Sequence, residues 1–218
     1  MTVSLTYRDS IAVLQLGDDE NRFSPGWLDD VDGALDQVVG GEPTALVTTA
    51  TGKFFSNGLD LEWLTANPGE WGPYAARVQV LLARVLTLPV PTVAAVNGHA
   101  FGAGAMLAMA HDFRVMRADR GFLCFPEVDI RIPFTPGMSA LIQAKTTPRT
   151  AIEAMTTGRR YGGADAATAG LVDGAVAEDV LVETATQVVA PLVGKDAATL
   201  GTIKSTMFAA AATALMSS

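Results

Sequence analysis

The residues best suited to chemistry in this chain are one carboxylate and two glycine-bearing segments. Glu127 stands in Phe125-Pro126-Glu127-Val128-Asp129-Ile130, with Ile132 just beyond. Apolar neighbours disfavour the charged form of a carboxylic acid, so they raise its pKa toward the range in which a general base works near neutral pH. On its own, a Pro-Glu dipeptide reads more readily as an exposed turn. The glycine segments are Phe54-Phe55-Ser56-Asn57-Gly58-Leu59-Asp60 and Gly98-His99-Ala100-Phe101-Gly102-Ala103-Gly104-Ala105-Met106. Each is expected to be a loop after a strand. Glycine has no Cβ to block approach, so backbone N–H groups in such loops can point at a ligand oxygen. The second loop runs into an apolar helix, Ala105 to Ala110, which adds the positive end of a helix dipole. The same glycines would equally permit close packing, and each loop alone leaves both readings open.

Other chemistries lack their residues. There is no G-K-[ST], no G-x-S-x-G, no H-E-x-x-H and no C-x-x-C, and His99 and His111 have no nucleophile at a recognisable spacing. A metal site or a catalytic triad is not expected. The single cysteine, Cys124, lies among apolar residues and reads as a buried thiol in a reducing compartment. Asp60 is expected to cap a short helix toward Leu64, and Asp112 to satisfy backbone donors at a helix-to-strand junction. Asp129 would share the face of Glu127 if the segment is a strand, by period two. The net charge of -8 over 218 residues leaves no basic stripe for a phosphate backbone, which argues against nucleic acid. Gly, Pro, Asp or Arg interrupts every apolar run before the roughly 20 residues of a membrane span. Only 17% of residues are charged, so some apolar surface is expected to face another subunit.

The elements that must position these groups follow from periodicity. Val3 to Tyr7 and Ile11 to Leu16 alternate as an opening hairpin, and Met1 to Arg8 does not look like a signal peptide. Ser24-Pro25 starts a helix with Leu28, Val31, Leu35 and Val38 on one face, stopped by Gly40-Gly41. Short strands are expected at Ala45 to Thr49, Thr92 to Val96, Phe113 to Met116, Gly121 to Cys124 and Leu171 to Ala177. Helices are expected at Tyr74 to Leu88, Pro136 to Lys145, Pro148 to Thr157, Ala164 to Ala169, Asp179 to Val193 and Asp196 to Met216. Strands alternating with helices, then helices alone, indicate an α/β core with a helical C-terminal part and no linker dividing it.

Four stretches resemble the crotonase family of enoyl-CoA hydratases and isomerases in both order and spacing. They are Lys53 to Leu61, Pro91 to Gly104, Ala108 to Val115 and Phe125 to Ile130, with Gly170-Leu171-Val172-Asp173 like the family's turn after a helix. The resemblance runs from the opening hairpin to about Lys204. It implies a β-β-α spiral core over residues 1–195, followed at 196–218 by a shortened trimerisation and lid region.

The resemblance also implies a substrate, an acyl-coenzyme A thioester, and no separate cofactor. The backbone N–H groups of Leu59 and Ala103 would form the oxyanion hole. Lys53, Asn57 and Gly58 would contact coenzyme A. Family hydratases carry two glutamates; at the first position this chain has Met106, which would instead wall the acyl pocket, and the second is kept as Glu127. Adding water needs two acid-base groups, whereas shifting a double bond needs one base that takes a proton and returns it. The pattern therefore resembles the single-base Δ3,Δ2-enoyl-CoA isomerases more than the hydratases. An enoyl-CoA hydratase with low or relocated second-base function and a non-catalytic acyl-CoA-binding member are the alternatives. A homotrimer or dimer of trimers is expected. The lone buried thiol, the strand-like Met1 to Arg8 and the interrupted apolar runs point to a cytoplasmic location, and the final Met-Ser-Ser is not a peroxisomal S-K-L address.

Overall fold

The computed structural model describes residues 2–41 and 45–217; Met1 of the expected opening segment and Ser218 of the tail lie outside the described residues. The chain opens with β1 (Ser4–Arg8) and β2 (Ile11–Gln15), an antiparallel hairpin as expected. Helix α1 (Pro25–Gly40) begins where Ser24 Oγ accepts the Trp27 N–H at 3.2 Å, and it buries Leu28, Val31, Leu35 and Val38. Then β3 (Ala45–Thr49) is followed by β4 (Phe54–Ser56), α2 (Leu61–Ala66) and α3 (Trp71–Leu86). The next turn comprises β5 (Thr92–Val96), β6 (His99–Phe101) and α4 (Ala103–Ala110). A third repeats it with β7 (Phe113–Arg117), β8 (Leu123–Cys124) and α5 (Glu127–Ile130).

Each turn of this spiral gives one strand to each of two sheets. The larger sheet has the order β1-β2-β3-β5-β7-β9, with β9 (Gly174–Val176) on its edge, and is parallel from β2 onward. The smaller is β4-β6-β8, also parallel. Here expectation and structure differ: both glycine segments begin as strands, and three residues are too few for period two to show. Glu127 to Ile130 is a helical turn instead of a strand, so period two does not govern Asp129, which is exposed. The expected strand at 121–124 shrinks to two residues and that at 171–177 to three.

After α6 (Pro136–Lys145), α7 (Pro148–Thr157) and α8 (Gly163–Thr168), helix α9 (Leu181–Val189) covers the outer face of the large sheet. Alternation along each strand divides the core in two. Ile11, Val13, Val47, Val93 and Val115 meet Leu181, Ala185 and Val189, while Ala12, Leu14, Leu46, Ala94 and Met116 join the main core. Helix α4 is buried along its whole length, which suits its all-apolar sequence.

The expected single helix at 196–216 is two, α10 (Ala197–Met207) and α11 (Ala209–Met216), parted at Phe208. Helix α11 packs on α6 and α3. Helix α10 sends Lys204 inward, where its ammonium pairs with Asp112 and donates to Val90 O at 2.7 Å. Asp112 also accepts the Thr92 N–H at 2.8 Å, the backbone role expected of it. No helix among the described residues is long and apolar enough to cross a membrane.

Candidate active site

The two glycine segments meet because β4 and β6 are neighbours. Gly58 has φ +76, and a Cβ there would fall 2.7 Å from Phe101 O and 2.9 Å from Ala103 N. At Gly104 a Cβ would fall 2.3 Å from Ser56 O, so only glycine lets α4 start against β4. The N–H groups of Leu59 and Ala103 donate to nothing among the described residues. Ala103 opens α4, where an N–H has no partner within its own helix. Two unengaged donors therefore border one space.

Residues that motif reading passed over hold the first segment in place. Asn21 donates from Nδ2 to Phe54 O (3.2 Å) and Phe55 O (3.1 Å), while Ser56 Oγ donates to Asn21 O at 2.7 Å and accepts the Gly58 N–H at 3.1 Å. Phe23 N donates to Gly58 O at 2.8 Å. Asp60 caps α2 through Trp63 N at 3.1 Å, as expected, and its own N–H goes to the Tyr74 hydroxyl at 2.8 Å. Burial pushes the Tyr74 phenol up to about 12, so it stays protonated. The sequence signal was the polar type of Asn21 and Ser56 beside apolar runs, which does not say what they bond. Ser56→Ala is expected to leave Asn21 O and Gly58 N–H unpaired in a fully buried place, at a cost of about 1–3 kcal/mol in a urea unfolding midpoint.

Glu127 closes the other side. It follows β8 through Phe125 and Pro126, and Gly102 N donates to Cys124 O at 3.0 Å, tying β8 to the second segment. A Cβ on Gly102 would lie 3.3 Å from Glu127 Oε1, so the carboxyl group is beside the start of α4. The residue is 7% exposed, and Oε2 has no hydrogen-bond partner among the described residues. Burial raises its pKa to about 7, against a smaller lowering by its backbone hydrogen bond. A carboxyl group with this value changes charge near neutrality and can take or give a proton there.

Leu59, Gly102, Ala103 and Glu127 line one cavity of about 680 Å³, together with Asn57, Leu61, Phe101, Pro126, Ile130 and Ile132. Arg22 and Arg160 supply its positive charge, and neither was singled out from sequence. Arg160 lies over the Phe101 ring at 5.7 Å. Arg22 pairs with Glu20 and, at 3.3 Å, with Glu62. Asn57 turns its amide to Glu20 at 3.1 Å. Lys53 does not line this cavity; its ammonium stands 5.1 Å from the Phe54 ring centre. Met106 is 1% exposed within the core and lines none of the cavity either. A second cavity, of about 660 Å³, also touches Glu127 and is walled by Val128, Pro133, Phe134 and Met155.

The remaining candidates are structural. Cys124 is buried, and burial pushes its thiol up to about 11. His111 is buried between Leu107 O and Thr48 Oγ1, each at 2.8 Å, and burial lowers its pKa to about 4, which keeps the ring neutral. No group of three His, Cys, Asp or Glu side chains fit for a metal occurs among the described residues.

Known proteins resemble this chain in sequence and in fold. Enoyl-CoA delta isomerase 1, peroxisomal, of Arabidopsis thaliana is 42% identical over 65% of this chain and 61% of its own length, so that alignment spans less than two thirds of the relative. Enoyl-CoA delta isomerase 3 of the same plant is 40% identical over 79% of this chain and 76% of its own. The crystal structure of a probable enoyl-CoA hydratase from Mycobacterium tuberculosis H37Rv superposes with a TM-score of 0.91, at 28% identity, over 98% of this chain and 91% of that one. The family model described as enoyl-CoA hydratase/isomerase matches residues 6–218, and the chain belongs to that family.

Proposed function

We propose that this protein is a Δ3,Δ2-enoyl-CoA isomerase. The observation that carries the proposal is a single buried carboxyl group beside two unengaged N–H groups in one cavity. The thioester oxygen accepts hydrogen bonds from Leu59 N–H and Ala103 N–H. Glu127 removes a proton from C2 of a 3-enoyl-CoA, and the electrons pass through the C2–C1 bond to that oxygen, giving a dienolate. Glu127 then returns the proton at C4, and the double bond ends between C2 and C3. The donors act most strongly on the charged dienolate, which is where their stabilisation lowers the barrier. No cofactor takes part, and coenzyme A enters as part of the substrate. Arg22 and Arg160 suit its phosphates by charge, and the Val128, Pro133, Phe134 and Met155 wall of the cavity beyond Glu127 suits the acyl tail.

The hydratase reading needs a second acid-base group, and the cavity offers one other carboxylate. Glu62 lines it, but its side chain is 85% exposed and faces Arg22. Supplied with 3-enoyl-CoA, the protein is expected to form 2-enoyl-CoA, and to hydrate 2-enoyl-CoA at least about 100-fold more slowly. Comparable hydration that disappears in Glu62→Gln would establish the hydratase instead. Coenzyme A binding without turnover of either substrate would leave only a binding role.

The fatty-acid-metabolism, trimer and cytoplasm assignments are part of the same proposal. Exposed Val128 and Ile152, on the neighbouring helices α5 and α7, favour burial against another subunit, and the single buried thiol suits a reducing compartment.

A further inference from the structure

A separate cavity of about 490 Å³ lies where α10 passes the starts of β5 and β7, and it shares no lining residue with either cavity at Glu127. Its volume is within the range of about 300–1,000 Å³ that holds small ligands. The walls are apolar, formed chiefly by Phe113, Leu192, Leu200, Ile203 and Phe208.

The charges within it are unevenly satisfied. Lys204 and Asp112 neutralise each other, and Asp196 is engaged as the cap of α10, accepting from Thr199 N at 2.8 Å. Lys145 has no carboxylate partner among the described residues. Its ammonium donates to His111 O at 2.8 Å and lies 4.9 Å from the Phe208 ring centre. An ammonium carries three donors, and His111 O is the one hydrogen-bond acceptor it reaches among the described residues. Burial, helped by the charge of Arg114 and opposed by Asp112 and Asp173, lowers the Lys145 pKa to about 8, a sign of how poorly the cation is solvated. Lys195 adds a further positive charge, and Lys145, Lys195 and Lys204 against Asp112 and Asp196 leave the lining with a net charge of +1.

We propose that this cavity binds a medium-chain carboxylate anion of the fatty-acid type, its carboxylate on Lys145 and its chain along the apolar wall of α10. Charge complementarity selects the anion, because an aliphatic chain alone would leave the ammonium without a carboxylate counter-charge. The inference is independent of the isomerase assignment, since no residue of the site at Glu127 takes part.

Calorimetric titration of the intact protein with decanoate and with decanol tests it. Decanoate is expected to bind once per chain and decanol at least about tenfold more weakly, while saturating acetyl-CoA leaves decanoate binding unchanged. Lys145→Met should reduce decanoate to the affinity of decanol. Because that change also removes the bond to His111, Met207→Glu on the rim, where Met207 is 63% exposed, provides a second variant. It should weaken decanoate about tenfold by repulsion and leave decanol within about twofold. Equal affinity for decanoate and decanol, displacement by acetyl-CoA, or undiminished binding in both variants would overturn the proposal. So would failure to bind, including the case in which sedimentation shows a second copy covering Ile203 and Met207.

Discussion

Glu127→Gln is expected to lower kcat for 3-enoyl-CoA isomerisation by about 10³- to 10⁴-fold with little change in KM, because glutamine keeps the shape of the side chain but cannot take the C2 proton. In the unmodified protein, kcat/KM should rise with pH through about 7 and level off above it, since the deprotonated carboxylate is the active form and burial holds its pKa there. The same burial has a cost in stability. The folded-state pKa of about 7 exceeds the ordinary 4.5, so the folded chain holds this proton more tightly than the unfolded chain. The group's contribution to stability is complete below about 4.5 and is lost as pH rises through about 7. The difference corresponds to about 3 kcal/mol. Glu127→Gln should therefore match the unmodified protein in urea unfolding at about pH 4 and exceed its stability at about pH 8.5. Unchanged isomerisation in the variant would remove Glu127 from the mechanism. Lost activity without a stability gain at high pH would mean that the carboxyl group is better solvated than its burial indicates.

Gly58→Ala should reduce kcat by about 10²- to 10³-fold, the usual consequence of losing one oxyanion donor. The added methyl would stand 2.7 Å from Phe101 O and 2.9 Å from Ala103 N, and alanine is strained at φ +76. Relief requires the two glycine segments to separate, which moves Leu59 N–H away from Ala103 N–H. The pH profile should keep its midpoint near 7, because Glu127 is not touched. Gly69→Ala and Gly72→Ala serve as controls, with nothing within 4 Å of the new methyl and no positive φ. Both should retain near-normal rates in the same assay. A fully active, folded Gly58→Ala variant would separate Leu59 from oxyanion stabilisation.

The sequence was enough for the features that rest on local rules. Helix α1 follows from Ser24, Pro25 and an apolar face, and the alternation of Ile11 to Gln15 assigns its side chains to two cores. The apolar neighbours of Glu127 already implied a raised pKa, and the glycine segments implied exposed N–H donors. Pairing between distant strands was not visible in the same way, because β4, β6 and β8 are too short to carry a periodic signal and gain their stability from one another. Tertiary structure alone made them a sheet and so brought Gly58 against Ala103. It also delivered Arg22 and Arg160 to the cavity, left Lys53 outside it and sank Met106 in the core. Residue type and spacing thus determined which groups could do the chemistry. Which of them face one another depended on the nonlocal packing of the spiral, where a backbone contact forms only if the residue opposite leaves room for it.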